Sequence, residues 1–447
     1  MPTTDPSTPQ PRTVDLLIEA GWVVPVRPAA EALAWHAVAV DGGRIVDVLP
    51  SQEATRRYAP RQRESLSGHV LIPGLVNLHT HAAMALLRGY ADDLPLMVWL
   101  KEKIWPAEGR FVGPEFVRDG TLLAAAEMLR GGITCFNDMY FHPEEAARAA
   151  AAVGMRAALG ILAFEFPTRY GTDADDYLRK GLAVRDALRD DPLVSFCMAP
   201  HAPYTVADRT FERIATLAAQ LDIPIHIHVH ETTDEVADSV RQHGVRPLER
   251  LHRLGLLGPG LVAVHAVHLD AEEISLLAET GSAVAHCPTS NMKLGSGIAP
   301  VAALDARGVR IGLGTDGAAS NNRLDLFHEM RHAALLAKAA TGDAAALNAH
   351  RVLAMATLDG AAALGLDDRI GSIEPGKEAD LCAVRLDEWL FGPVFDPVSH
   401  LVYVAGREQV SHVWVRGECR LRDTCLTGLS AERLIDTLAM WQNKLSS

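Results

Sequence analysis

Between residues 70 and 320 of this 447-residue chain, short apolar runs alternate with amphipathic stretches of helical period. The runs occupy 69–78, 133–140, 156–164, 193–201, 223–230, 261–269, 282–287 and 309–315. Between them lie helix-like segments such as 116–130, 144–153, 177–188, 210–221 and 271–279. Strands alternating with helices give parallel βα units, and eight such units close into a barrel. An open doubly wound sheet is the competing architecture. It is disfavoured because chemically capable residues stand at the ends of six or more runs, and barrels gather such residues at one face. The expected fold is α/β, a (β/α)8 TIM-like barrel.

The two ends of the chain read differently. Residues 38–48 are two β-rich runs around Gly42-Gly43, a hairpin signal, and 371–384 and 410–421 look like further strands and turns. Neither end holds enough strands for a stable sheet alone, so both are expected to pack together as a small β-sandwich beside the barrel. The expected division is 1–68 for the first part of the sandwich, 69–370 for the barrel and 371–447 for the second part. A terminal helix is expected over 431–445, with Ser430 placed to cap it. The first twelve residues are polar and Pro-rich and read as a flexible tail rather than a signal peptide.

Composition narrows the function classes. The chain is 48% hydrophobic and 22% charged, and no apolar stretch approaches the roughly 18–20 residues that span a bilayer. A formal net charge of −14 opposes nonspecific attraction to nucleic acid or to an anionic membrane. Six scattered cysteines (135, 197, 287, 382, 419 and 425) form no CxxC pair, which predicts reduced thiols and a cytoplasmic location.

The chemistry concentrates at the ends of the runs. His79-Thr80-His81 closes the first run, and side chains two apart on a strand share a face, so both imidazoles can reach one metal ion. The fifth run, Pro224-Ile-His-Ile-His-Val-His-Glu231, places His226, His228 and His230 on one face, with Glu231 following. His265 and His268 end the sixth, His286 lies in the seventh, and the eighth ends Gly312-Leu-Gly-Thr-Asp316-Gly317. His201 closes the fourth. Imidazoles and carboxylates at successive strand ends can converge above a barrel, where hydrolysis needs about three ligands, a base and a proton donor. The histidines at 243, 252, 332, 350, 400 and 412 read as ordinary structural or surface residues.

Two other motif readings fail. Gly312 to Gly317 matches the G-x-G-x-x-G spacing of dinucleotide-binding turns, but residues 318–323 read as a loop and no further parallel strand follows. No P-C-x-x-C occurs, which excludes the zinc nucleobase deaminases built on that motif.

Pro73-Gly-Leu-Val-Asn-Leu-His-Thr-His81, the His228-x-x-Glu231 step, His265 and Gly314-Thr-Asp-Gly-Ala-Ala-Ser-Asn321 together resemble the amidohydrolase superfamily. More narrowly they resemble its aminohydrolase branch of 5-methylthioadenosine/S-adenosylhomocysteine deaminases and triazine chlorohydrolases. The resemblance covers nearly the whole chain. It implies one zinc ion, with iron as another divalent option, on His79, His81, His228 and Asp316. Spacing alone leaves His226, His228 and His230 open; the family's His-x-x-Glu step selects His228. Members with two metals use a modified lysine at the fourth strand, and here that strand ends in His201 with no lysine nearby.

The resemblance also implies roles. Asp316 takes the proton of the attacking water, His265 orients it, and a protonated Glu231 donates to a ring nitrogen. Glu108 matches a ribose-hydroxyl ligand, and His201 matches a residue near the nucleoside. Relatives that grip a homocysteine carboxylate use arginines after the third strand, where this chain offers only Arg169. Methylthioadenosine therefore suits the chain better than S-adenosylhomocysteine, its apolar tail fitting Phe164, Phe166 or Met84. The expected activity is hydrolytic deamination of a small adenine nucleoside by a homo-oligomer. The alternatives are a guanine-like, pterin or triazine ring as substrate and, remotely, a non-catalytic metal-binding scaffold.

Overall fold

A computed structural model describes residues 10–446; the start of the Pro-rich tail lies outside the described residues. The eight apolar runs become β5 (Leu75–Thr80), β6 (Ile133–Asp138), β7 (Arg156–Ala163), β8 (Val194–Pro200), β9 (Ile225–Val229), β10 (Leu261–His265), β11 (Ala283–His286) and β12 (Arg310–Leu313). They hydrogen-bond in sequence order in one parallel eight-stranded sheet with helices between them. The ends of that sheet meet: the Asp316 N–H donates to the His79 carbonyl at 2.9 Å, and the Thr80 hydroxyl donates to the Asp316 carbonyl at 3.1 Å. The Asn77 side chain reinforces the seam, donating to Thr315 Oγ1 at 2.8 Å and accepting from its N–H at 3.0 Å. The result is a TIM-like barrel.

The second sheet combines both ends of the chain, as expected. Its strands before the barrel are β1 (Arg12–Val23), β2 (Leu33–Asp41), β3 (Arg44–Pro50) and β4 (Tyr58–Pro73). Those after it are β13 (Leu381–Arg385), β14 (Val410–Val415), β15 (Glu418–Arg422) and β16 (Cys425–Leu426). The order is β16-β15-β14-β13-β4-β1-β2-β3, antiparallel except for the β1–β4 pair. Leu16, Ile18, Val38, Val40, Leu71, Leu381 and Trp414 form a shared core between the two contributions. Gly42 and Gly43 make the β2–β3 turn at φ 57° and 75°, the left-handed pair that a two-residue hairpin demands.

The first run differs from the expected single strand: it divides at Gly74 into the end of β4 and the whole of β5. A side chain there would bring its Cβ within 2.2 Å of Thr134 Oγ1, so glycine is what lets the strand pass from one sheet into the other. The segment after Gly317 also differs, because Ala318–Asn321 is a single helical turn rather than loop. No parallel strand follows it, so the dinucleotide-binding reading still fails. The terminal helix spans Ala431–Ser446, and Ser430 Oγ accepts from the Arg433 N–H at 3.3 Å. Buried Arg156 at the start of β7 pairs with Glu378 at 2.6 Å and Asp380 at 3.2 Å, joining the barrel to the second sheet away from the strand ends. Among the described residues, no helix is long and apolar enough to cross a membrane.

Candidate active site

Parallel strands deliver their C-terminal ends to one rim, and there the polar residues gather. Three of them follow a left-handed backbone that non-glycine residues adopt only under constraint: His230 at φ 57°, His265 at 70° and Asp316 at 62°. Each turns the chain sharply beyond its strand, and the turns at His265 and Asp316 aim those side chains into the barrel mouth. His79 Nε2 lies 3.3 Å from His228 Nε2 and 3.3 Å from Asp316 Oδ1, which is also 3.3 Å from His81 Nε2. A tetrahedron with metal–nitrogen bonds of about 2.0–2.1 Å has edges of about 3.3–3.4 Å. The donor set therefore fits a zinc-sized cation. His79, His81 and Asp316 form one such group and His79, His228 and His265 another, so His79 belongs to both.

Surrounding contacts aim these rings. The Nδ1–H of His81 donates to the Met139 carbonyl at 2.7 Å and that of His228 to the His201 carbonyl at 2.8 Å. His79 Nδ1 pairs with His226 Nε2 at 2.9 Å. In each ring the other nitrogen is left as a lone pair facing the common point. Burial pushes His79 down to about 4 and lowers His228 well below the usual imidazole range, favouring the neutral form that ligates metal. Burial works to raise the Asp316 carboxyl, but the imidazoles of His79, His81 and His265 around it hold it well below its usual range. Asp316 Oδ2 accepts from Ser290 Oγ at 2.6 Å and Ser320 Oγ at 2.8 Å.

Around this cluster a cavity is lined by Glu231, Glu108, His201, His265 and aromatic rings. Burial raises the Glu231 carboxyl to about 7, with Asp316 and Glu235 adding to the effect and His265 opposing it. Ser296 Oγ donates to Glu231 Oε1 at 3.5 Å, and Glu231 Oε2 lies 3.8 Å from His265 Nε2. The Nδ1–H of His265 donates to Asn291 Oδ1 at 2.8 Å, which fixes its ring. Glu108 is carried on the helix Trp105–Phe111, where burial raises it to about 7 and the Tyr140 hydroxyl donates to it at 2.8 Å. His201 stacks on Phe164 with centroids 4.7 Å apart. An adjoining cavity shares Trp105, Glu108, Phe141 and Phe164 and continues to Phe166, Arg169 and Tyr170.

The other sequence candidates fall elsewhere. His226 stands behind His79, and His230 is turned away, its Nε2 accepting from the Leu248 N–H at 3.1 Å and its Nδ1–H donating to the His268 carbonyl at 3.2 Å. His268 is bound to the Ser296 carbonyl at 2.7 Å. Arg169 lines only the adjoining cavity and donates to the Arg110 carbonyl at 2.6 Å. Sequence reasoning does not single out Tyr140, Ser290 or Ser320. Tyr140 closes the second apolar run and so had a positional signal, whereas the two serines have none.

A barrel whose strand ends hold histidines and an aspartate around one point is the architecture of a metal-dependent hydrolase. The chain belongs to the amidohydrolase family, whose profile matches residues 70–420. It is a hydrolytic deaminase. A 5-methylthioadenosine/S-adenosylhomocysteine deaminase of Teredinibacter turnerae is 48% identical over 97% of this chain and 98% of its own length. An adenosine deaminase from Xanthomonas campestris, solved with bound zinc, superposes with a TM-score of 0.96 at 52% identity, covering 98% of this chain and 99% of its own. The zinc complex of an atrazine chlorohydrolase from Arthrobacter aurescens shares the fold at TM-score 0.88 and 24% identity, covering 95% of this chain and 99% of its own.

Proposed function

We propose that this deaminase acts on adenine nucleosides, with 5-methylthioadenosine preferred over S-adenosylhomocysteine and adenosine, and uses a single zinc ion. The ion would be held by His79, His81, His228 and Asp316, and when bound it supplies a Lewis acid that brings the pKa of a water toward neutrality. The chain's own residues do the rest. His265 orients the attacking water through its free Nε2, and Asp316 accepts the proton that the water loses. Glu231, kept protonated near neutrality, donates to the ring nitrogen beside the amino-bearing carbon. The C–N bond then breaks as Asp316 gives its proton to the departing amino group, which leaves as ammonia, and the hydroxyl proton still on the ring carbon returns to Glu231 as the carbonyl forms. Water and the aminopurine thereby become the inosine-type ring and ammonia.

The observation that supports a nucleoside over a bare ring is Glu108. A half-buried carboxyl steadied by Tyr140 lines both the cavity around the donor cluster and the adjoining aromatic cavity. A carboxylate can accept from both hydroxyls of a ribose diol, and the cavity beyond would take the apolar methylthio group against Phe164 and Phe166. Ammonia release from zinc-loaded protein tests this, with methylthioadenosine, S-adenosylhomocysteine, adenosine, guanine and a melamine-like triazine offered side by side. Strong preference for methylthioadenosine is expected. Turnover of a bare ring with silence on every nucleoside would replace this reading with the free-base one. In Glu108→Gln, KM for nucleosides is expected to rise about 10- to 100-fold, the worth of a hydrogen bond to a charged group. Any residual rate on a free base should stay unchanged; equal losses on both would remove Glu108 from sugar recognition.

A further inference from the structure

The chain leaving β9 makes an unusual use of a helix-capping pattern. Thr232 caps the helix Thr233–His243, accepting from the Glu235 N–H at 3.2 Å. Thr-x-x-Glu is the sequence of a capping box, in which the glutamate reaches back to the N–H of the cap residue. The helix Ala271–Thr280 does this with Asp270 and Glu273. Glu235 instead reaches past Thr232: its Oε1 accepts from the His230 N–H at 2.9 Å and its Oε2 from the Glu231 N–H at 2.8 Å.

Two consecutive N–H groups point to opposite sides in an extended strand and cannot share one carboxylate. They converge here because His230 is left-handed, at φ 57°, which makes a small concavity of backbone donors suited to an anion. The other side of the same turn is also tied down, with the His230 carbonyl accepting from the Val267 and His268 N–H groups at 3.0 Å each. Glu235 is buried, so nothing in solvent competes for its oxygens. The turn it secures carries Glu231 out of the strand and into the cavity.

We propose that Glu235 is a positioning residue for the reaction, clamping the backbone of His230 and Glu231 so that the Glu231 carboxyl faces the substrate ring. The inference rests on the role proposed for Glu231. The test compares wild type, Glu235→Gln, Glu231→Gln and the double variant on methylthioadenosine, with zinc content and thermal unfolding measured for each. The amide cannot accept a second N–H, so Glu235→Gln should lower kcat about 10- to 100-fold, the usual cost of losing a supporting partner at a metal site. KM and zinc content should stay within about twofold of wild type, since neither depends on the proton donor. In the Glu231→Gln background the same change should cost less than about twofold, because the group it positions is already disabled. An equal loss in both backgrounds would mean a general structural role and overturn the proposal, as would an unaltered kcat.

Amide hydrogen exchange at His230 and Glu231 gives a readout that needs no turnover. It should speed by at least about tenfold in Glu235→Gln, and unchanged protection would overturn the clamp. A wild type silent on every substrate but showing that exchange difference would sink the proposed function and leave the clamp standing. Should Glu235→Gln not fold, Glu235→Asp, which keeps the charge but withdraws it by one methylene, is read by the same comparisons.

Discussion

Glu231→Gln is expected to keep its metal and its nucleoside affinity while losing about 10²- to 10⁴-fold in kcat, the range that a positioned proton donor contributes. The substitution preserves shape, so the 3.5 Å contact from Ser296 and the neighbourhood of His265 survive. What disappears is a proton that can be given to the ring. Burial holds the Glu231 carboxyl at about 7 rather than in the usual carboxylic range. Its protonated form, the active one, is full at acidic pH and declines as pH rises through that value. Wild-type kcat should therefore carry a basic limb near neutrality, and the limb should be missing from the profile of Glu231→Gln. Steady-state kinetics across pH, with zinc content measured on the same samples, checks both statements. Near-normal turnover in the variant would assign proton delivery elsewhere.

His79→Ala is expected to abolish detectable turnover and to weaken zinc binding by at least about 10²-fold. Supporting partners of metal ligands alone cost up to that factor, and His79 belongs to both donor groups, with His228 Nε2 and Asp316 Oδ1 each 3.3 Å away. Zinc that binds only the folded protein raises its stability by mass action, so the variant should also lose most of the rise in melting temperature that zinc gives wild type. His226→Ala is the informative companion, because His226 meets the cluster only through His79 Nδ1 at 2.9 Å. It should weaken zinc about 10- to 100-fold and leave measurable activity at saturating metal. Full zinc content in His79→Ala after exhaustive dialysis would show that the ion is held by other residues.

The barrel is legible in the chain because each of its strands is a short apolar run and each crossover helix is amphipathic. Both patterns are local properties of the sequence. The convergence of His79, His81, His228 and Asp316 is readable for a related reason, since parallel strands deliver their polar terminal residues to one rim. Local pattern fails where the decision is made by distant packing. The run 69–78 reads as one largely apolar strand, and Pro73-Gly74 marks a break in it without saying that the chain changes sheet there; the approach of Thr134 is what requires the glycine. His226, His228 and His230 share one strand period, and left-handed His230 is separated from the others by a backbone turn that no periodicity reports. Ser290 and Ser320 read as ordinary loop residues until the fold sets both hydroxyls on one oxygen of Asp316. Glu108 looks like a surface helix residue until Tyr140 and the barrel mouth enclose it.

The passage of one strand through two sheets at Gly74 bears on the order in which the protein can assemble. β4 is flanked on one side by β1, with Val23 opposite Leu71, and on the other by β13 in a register that sets Pro73 beside Leu381, so half the bracing of the strand that leads to His79 and His81 comes from residues some three hundred positions later. Pairings of such sequence separation are slow to form, because the closure entropy of the long intervening chain precedes any gain from contact. During synthesis, then, the two histidines emerge early and wait, on a strand whose far end has β1 beside it but gains its second neighbour only when the last quarter of the chain arrives. Ordering of the histidine pair should be among the final events of folding, and a ribosome-held chain stopped before residue 381 should still lack a rigid metal-binding rim.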